Sequence, residues 1–277
     1  MSGQPRPVEA SGFLASQSPE LRIPGALEEI RNRVAESGRR IVVLDDDPTG
    51  TQTVHGVPVL TTWSAEDLRG ALEGPSPTFY VLTNSRSFPE EAAVEMNREI
   101  AANLALAAER AGTEIVLTSR GDSTLRGHYP AETDALREAL GADFDGLILC
   151  PCYLEAGRIT VEDVHWVRQG ETLVPAGETE FARDATFGYS SSSLPAWVGE
   201  KTAGGVPASE VASVGLPDLR EGGPERVAEI LRGVGGGRPV VVNAASYADL
   251  EVFVLGLLDA EAGGKRFLYR TGPSFVR

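Results

Sequence analysis

The sequence contains little lysine, few cysteines and no long apolar run. Lys201 and Lys265 are the only lysines among 25 basic residues, and the formal net charge is −15. This deficit of positive charge argues against nucleic acid or an anionic membrane as the main partner. Because arginine carries nearly all of the positive charge, a positively charged site must use the guanidinium fork, which suits carboxylates and phosphates.

The two cysteines, Cys150 and Cys152, stand two positions apart. This spacing rarely makes an unstrained disulfide, and two ligands do not complete a zinc site. We therefore interpret them as small buried residues at the end of a strand. The three histidines are widely separated and show no metal-ligand spacing. The sequence therefore predicts no metal site.

No segment has the length of a membrane span. The longest apolar stretch, VFVLGLL, is much too short to cross a bilayer. The first twenty residues lack a positively charged start followed by an apolar run, so no signal peptide is evident. From these two observations we predict a cytoplasmic protein.

Apolar runs alternate with helical patterns along most of the chain. The predicted strands are RIVVLDD, VPVLT, TFYVLT, EIVLT, GLILC, EVASVG, PVVVN and FLYR. A long helix is predicted over residues 89–111, where alanines and large apolar residues recur on one face. Such alternation indicates an α/β fold with a mainly parallel sheet and helices on both faces.

The chain is predicted to form a single substrate-binding domain over residues 23–277. Residues 1–22 are rich in Gly, Pro, Ser and Gln without periodicity, and we predict a loose N-terminal arm there. The regular pattern also breaks down around residues 150–195. This long irregular excursion is either a cover over the substrate or a small inserted layer.

Polar clusters follow three of the predicted strands. They occupy residues 45–50, 84–86 and 119–123. In open α/β sheets, ligands bind beyond the carboxyl ends of the strands, so neighbouring strands would bring these clusters to one rim. The aspartates at positions 45, 46 and 47 repel one another unless a ligand or a cation compensates their charge.

Two other kinds of site fit the sequence poorly. The glycine-rich GVGGGR segment at residues 233–238 follows a helix and lacks the Lys-Ser/Thr of a phosphate-binding loop, so a helix-terminating turn explains it better. Asp45, Asp47 and Thr49 resemble the first motif of haloacid-dehalogenase-type Mg-dependent phosphatases. That chemistry also needs a downstream lysine and an acidic pair, and neither follows in the expected place.

Five longer segments together resemble the four-carbon acid sugar kinase family. They are LDDDPTGTQTVHGVPVLT, TNSRS, RGDSTLRGHYPAE, EAGRIT and ARDATFGYSSSSLPAWV, and they occur in order from about residue 40 onward. The resemblance implies an ATP-dependent kinase acting on sugar acids such as threonate, erythronate and their oxo forms. Its N-terminal α/β domain would bind the sugar acid, and a C-terminal domain would bind ATP with Mg²⁺.

The resemblance also implies roles for particular residues. Asp47 and Asp122 would orient substrate hydroxyls, and either could assist deprotonation, so both are candidate catalytic residues. Arg86 and Arg120 would neutralise the carboxylate of the sugar acid. The full set of predicted substrate-binding residues is Asp46, Asp47, Arg86, Arg120, Gly121, Asp122 and Ser123.

The nucleotide-binding domain of that family has no counterpart in this sequence. The expectation is therefore a substrate-recognition half, with the ATP site supplied by a separate chain or by a part missing from a truncated product. A non-catalytic sugar-acid binding module, left after loss of the ATP domain, is the main alternative.

Overall fold

The structure, a computed structural model, describes residues 5–277. The helices are α1 (Ala10–Ala15), α2 (Ala26–Ser37), α3 (Ala65–Glu73), α4 (Glu90–Ala111), α5 (Ala131–Leu140), α6 (Leu194–Lys201), α7 (Leu216–Arg220), α8 (Gly223–Arg232) and α9 (Tyr247–Ala262). The strands are β1 (Val8–Glu9), β2 (Arg40–Asp45), β3 (Val59–Leu60), β4 (Thr78–Leu82), β5 (Ile115–Arg120), β6 (Gly146–Cys150), β7 (Arg158–Val161), β8 (Val164–Gln169), β9 (Thr172–Pro175), β10 (Ala212–Val214), β11 (Arg238–Val242) and β12 (Phe267–Thr271).

Eight strands form one parallel sheet in the order β10-β11-β6-β12-β5-β2-β4-β3. The apolar runs of the sequence form these strands because both faces of the sheet are covered. On β6, for example, Ile148 packs into one hydrophobic cluster with α8 and α9, while Leu149 packs into another on the opposite face. The predicted α/β fold with helices on both faces is confirmed.

Helices α3, α4 and α5 cover one face of the sheet over β4, β2 and β5, and their core includes Leu68, Ile100 and Leu136. Helix α4 begins after Pro89 and ends at Gly112, which adopts the left-handed conformation that stops a helix (φ 61°). Among residues 5–277, no helix is long and apolar enough to cross a membrane.

The predicted excursion contains regular structure. Strands β7, β8 and β9 form an antiparallel sheet that continues into β1, and short 3₁₀ turns follow over residues 176–183. Residues 158–201, which we call the inserted lobe, pack against the main sheet through Leu194 and Trp197. The excursion is therefore an inserted layer, and the expectation of irregular structure was wrong for residues 158–175.

The prediction of a loose N-terminal arm was wrong for residues 8–15. Strand β1 pairs antiparallel with β9, and Ala10 is fully buried in the core. The ring of Phe13 lies 5.2 Å from that of Trp166 in the inserted lobe. The composition of the arm gave no sign of this because a two-residue strand is specified by its distant partner. Residues 1–4 of the predicted arm lie outside the described residues.

Candidate functional site

The three polar clusters meet at one edge of the sheet. Strands β5, β2 and β4 are parallel neighbours, and their register places the end of β2 beside the ends of the other two. Asp45, for example, lies opposite Leu82 on one side and Arg120 on the other. The expected convergence on one rim is confirmed. Strand β12 pairs with β5 on the side away from β2, and it brings a further charged residue, Arg270, to the same edge.

Five of the charged residues at the rim lie below the surface, and we call them the inner layer. They are Asp45, Asp46, Arg120, Glu132 and Arg270. Nη1 of Arg120 lies 3.0 Å from Oδ1 of Asp45. Nη1 of Arg270 donates to Ser119 Oγ at 2.8 Å and lies 3.2 Å from Oε2 of Glu132. A buried charge is tolerated only when it is paired in this way.

Asp46 is the exception within the inner layer. Its side-chain oxygens accept no hydrogen bond, although the residue is only 3% exposed. Instead, the guanidinium nitrogens of Arg86, Arg120 and Arg270 each approach it to 3.8 Å. Burial raises the pKa of Asp46 to about 7, and the positive charge of Arg270 is the largest of the opposing effects. Burial likewise raises the pKa of Asp45 to about 6.

Glycines allow the backbone to pass close to this layer. A Cβ at Gly50 would lie 1.7 Å from an oxygen of Asp45, and a Cβ at Gly121 would lie 2.3 Å from Cζ of Arg270. Gly127 has a φ of +121°, and its Cβ would lie 2.5 Å from Nη2 of Arg270. Gly121, predicted as a substrate-binding residue, therefore has a packing reason to be glycine.

Four further residues lie above the inner layer and reach solvent, and we call them the outer layer. They are Asp47, Arg86, Asp122 and Arg126. Arg86 forms ion pairs with Asp47 and, at 3.2 Å, with Asp122. Nε of Arg126 donates to Asp122 at 2.7 Å. The result is a chain of alternating charges along the rim.

Asp47 and Arg126 are the most accessible members of the outer layer, with side chains 28% and 29% exposed. Arg126 stacks over Phe181 at 5.2 Å, and its Nη1 lies 3.8 Å from Asp184 of the inserted lobe. Neither of its terminal nitrogens makes a hydrogen bond to a described residue. Arg126 therefore has a fixed orientation and donors that remain available to a ligand.

The two outer aspartates are ionised at neutral pH. Burial raises the pKa of Asp47, but hydrogen bonds from Thr49 and the charge of Arg86 outweigh it and lower the pKa below its ordinary value. For Asp122, burial is outweighed in the same way by hydrogen bonds from Arg126 and Thr124. Ionised carboxylates are acceptors only, which suits them to ligand hydroxyls.

The structure brings all seven predicted residues to the rim but changes the expected role of Arg120. This arginine is only 5% exposed and is paired with Asp45, so it does not present its guanidinium to a ligand. Ser123 is also buried, and its carbonyl accepts a hydrogen bond from His165. Sequence reasoning missed three contributors, Arg126, Glu132 and Arg270. The first two lie inside the RGDSTLRGHYPAE segment, and the third is a charged residue at the end of an apolar strand.

Among the described residues, the side chains form no group suited to Mg²⁺, and the glycine-rich segment does not lie at the rim. Over residues 5–277, no group of three or more acidic, histidine or cysteine side chains is arranged to hold a metal ion. The glycine-rich 233–238 segment joins α8 to the start of β11, at the opposite end of the strands from the rim. Gly233 is the C-cap of α8, with a φ of −76°, and Gly236 and Gly237, which have positive φ angles, lie in the turn between that cap and β11.

The geometry also disfavours the phosphatase alternative. Asp45, which would be the nucleophile, is buried and paired with Arg120. The lysine that this chemistry requires is not at the rim: Lys201 donates to backbone carbonyls of residues 187 and 188, and Lys265 pairs with Asp145.

Two of the cavities bordered by residues 5–277 lie near the sheet. The smaller, of about 10 Å³, opens at the rim between Asp122, Arg126 and Arg270. The larger, of about 310 Å³, is a groove at the opposite ends of the strands, bordered by Tyr129 and Arg137. Of these two, the smaller is in contact with the charged cluster.

The sequence matches a family described as the sugar-binding N-terminal domain over residues 41–277. No match was found among curated proteins. Solved structures share the fold. A DUF1537 protein from Bordetella bronchiseptica, described as a domain-swapped dimer with bound citrate, has a TM-score of 0.64 at 24% identity, covering 86% of this chain and 56% of its own.

Two further structures give the same result. A DUF1537-family protein from Haemophilus influenzae has a TM-score of 0.61 at 22% identity, covering 84% of this chain and 54% of its own. A protein from Salmonella typhimurium described as a putative tRNA synthase has a TM-score of 0.59 at 20% identity, covering 85% of this chain and 53% of its own. The chain thus spans about half the length of these relatives.

Proposed function

Because the chain belongs to the sugar-binding N-terminal domain family, we propose that its rim binds a small sugar acid. In this proposal the bound acid is the acceptor of an ATP-dependent phosphoryl transfer, of the four-carbon threonate and erythronate type. The chain is then the substrate-recognition half of a sugar-acid kinase.

The outer layer is the observation that carries this proposal. It combines two guanidinium groups with two ionised carboxylates, all partly exposed and linked by contacts of 3.2 Å or less. A guanidinium fork binds a carboxylate, and an aspartate accepts from hydroxyls, so a hydroxy acid satisfies both kinds of group. The citrate bound to the Bordetella relative is itself a small hydroxy acid.

Within this site, Arg126 is proposed to contact the carboxylate of the ligand, with Arg86 beside it. This assignment replaces Arg120, whose guanidinium is buried against Asp45. Asp47 and Asp122 would hold hydroxyls, and Asp47, as the more exposed of the two, is better placed to accept the proton of the attacking hydroxyl. Its lowered pKa makes it a weak base, which suffices because phosphoryl transfer depends mainly on positioning and charge stabilisation.

In this proposal the phosphoryl donor is bound outside the described residues. ATP with Mg²⁺ would supply the phosphoryl group, and a separate nucleotide-binding chain or domain would hold it. The geometry of the rim fits the second candidate, a sugar-acid binding module without catalysis, equally well. Transfer to bound sugar acid after addition of a nucleotide-binding chain would distinguish the two.

Isothermal titration calorimetry with threonate and erythronate tests the proposed binding. The matched controls are threitol and erythritol, which keep the hydroxyls but lack the carboxylate. We expect at least one acid to bind at least about tenfold more tightly than its alcohol, and ATP to leave that affinity unchanged. Asp47→Asn should weaken acid and alcohol alike. Equal binding of acid and alcohol, or no binding of either, would contradict the proposal.

A further inference from the structure

The loop that carries Asp122 and Arg126 has a strained backbone. Leu125 has a φ of +68°, in the left-handed region that large side chains rarely adopt. Gly127 follows two residues later with a φ of +121°. Backbone of this kind persists only where the surrounding structure holds it in place.

Two side chains of the inserted lobe form hydrogen bonds with consecutive carbonyl groups of this loop. His165 on β8 is fully buried and lies with its Nε2 2.7 Å from the carbonyl oxygen of Ser123. Its Nδ1 lies 3.0 Å from the hydroxyl of Thr160. The arrangement satisfies both ring nitrogens when Thr160 donates to Nδ1 and Nε2 donates to Ser123. Burial lowers the pKa of His165 to about 4, so the ring stays neutral at physiological pH.

Tyr189 supplies the second contact. Its hydroxyl donates to the carbonyl oxygen of Thr124 at 2.7 Å. The side chain of Leu125, which comes next, packs in one hydrophobic cluster with Tyr189, Leu194 and Trp197 of the same lobe. Three successive residues of the loop are therefore fixed by the inserted lobe, immediately between Asp122 and Arg126.

We infer that the inserted lobe is a clamp that holds the Asp122–Arg126 loop in its ligand-binding conformation, with His165 and Tyr189 as positioning residues. The lobe also fixes Arg126 directly, through Phe181 and Asp184. A loop held in advance does not have to be ordered when the ligand binds, which improves affinity. The part of this inference that concerns affinity rests on the proposed function, whereas the part that concerns the loop does not.

Tyr189→Phe tests the clamp because it removes a single hydroxyl. Tyr80→Phe is the matched control, since the hydroxyl of Tyr80 is buried without any hydrogen-bond partner. Hydrogen exchange measured by mass spectrometry over residues 121–129, without ligand, reports on the loop itself. We expect this segment to exchange at least about fivefold faster in Tyr189→Phe, and at the wild-type rate in Tyr80→Phe.

A second measurement distinguishes the positioning of Arg126 from a general loosening of the protein. The ratio of threonate affinity to threitol affinity should fall in Tyr189→Phe and stay unchanged in Tyr80→Phe, because only the first variant removes a hydrogen bond that holds the loop carrying Arg126. Wild-type exchange of the loop in Tyr189→Phe would overturn the clamp and leave the proposed function intact. Failure of the wild-type chain to bind any sugar acid would overturn the proposed function, and the exchange experiment would still decide the clamp.

Discussion

The inner and outer layers of the rim contain the same kinds of side chain in opposite states. The buried carboxyls of Asp45 and Asp46 have raised pKa values, whereas the outer Asp47 and Asp122 have lowered ones. All four lie at the same sheet edge and near arginines. Burial raises the pKa of all four carboxyls, and at Asp45 and Asp46 this effect prevails. At Asp47 and Asp122 it is outweighed by hydrogen bonds, from Thr49 to Asp47 and from Arg126 and Thr124 to Asp122, together with the charge of Arg86.

Because of this difference, the two layers have different roles. The inner layer is inaccessible, so its charges can determine only the shape and the field of the rim. The outer layer keeps ionised acceptors and free donors in contact with solvent, which is what ligand recognition requires. Variants of the inner layer should therefore act on stability, and variants of the outer layer should act on binding.

The largest effect is expected from Arg270→Met. It removes the buried charge that faces Glu132 and Asp46, and breaking a buried pair on one side costs about 3–5 kcal/mol. Urea denaturation at pH 7 measures the change. Arg137→Met is the control because its pair with Asp134 is exposed, so its loss should stay below about 0.5 kcal/mol. Similar losses of stability in the two variants would show that the buried ion pairs of the inner layer contribute no more to stability than an exposed one.

Asp46→Asn should change how stability depends on pH. The raised pKa of Asp46 means that the folded state holds this proton more tightly than the unfolded chain, so wild-type stability declines as pH rises from about 4 through about 7. Asparagine does not titrate, and the variant lacks that decline. Between pH 5 and pH 7 its stability relative to wild type should therefore rise by about 2 kcal/mol.

Asp47→Asn is the matched control for this experiment. The pKa of Asp47 is lowered, so its carboxyl is ionised in both folded and unfolded states between pH 5 and pH 7. Its contribution is lost only as the pH falls below the ordinary value, toward the folded-state pKa. The difference in free energy of unfolding between Asp47→Asn and the wild type should therefore be the same at pH 5 and at pH 7. A pH-dependent displacement for Asp47→Asn, or none for Asp46→Asn, would reverse the assignment of the layers.

Arg126→Gln should reduce binding of an acid by at least about tenfold, or about 1.4 kcal/mol, because it removes the available guanidinium. Affinity for the corresponding alcohol should change little. Stability should fall by no more than about 1 kcal/mol, since the side chain is partly exposed. Calorimetric titration together with denaturation measures both quantities. A large loss of stability with unchanged selectivity would place Arg126 in the structural layer.

Thr49→Val should have the smallest effect. It removes the hydroxyl that donates to Asp47 and leaves the backbone amide of residue 49, which lies 2.9 Å from the same oxygen. The pKa of Asp47 should move back toward its ordinary value, and stability at pH 7 should fall by about 0.5 kcal/mol. Denaturation at pH 7 measures this, and a loss as large as that of Arg270→Met would contradict the division into layers.

The sequence predicted the main sheet and the position of the rim because both follow from local pattern. Buried parallel strands appear as continuous apolar runs, and parallel neighbours must end at one edge. Strand β1 was not predicted, and the inserted layer was predicted only as one of two alternatives, without its strands, since each short strand is stabilised by its pairing partners. Pattern alone does not contain that information.

The sequence also did not predict how deeply each residue at the rim is buried. Arg120 and Arg126 occupy the same motif and look equivalent in the sequence, yet one is the last residue of a strand and the other lies six positions on, in a strained loop. Arg270 stands far from the other site residues in sequence, and only the pairing of β12 with β5 brings it there. Such differences depend on the register of strands and the path of loops.

A crystal structure of the chain with erythronate or threonate would test the central claim most directly. The account predicts the carboxylate of the ligand on Arg126 and its hydroxyls on Asp47 and Asp122, with the inner layer unmoved beneath them. A ligand seated in the groove beside Tyr129 and Arg137, with the rim unchanged, would contradict it.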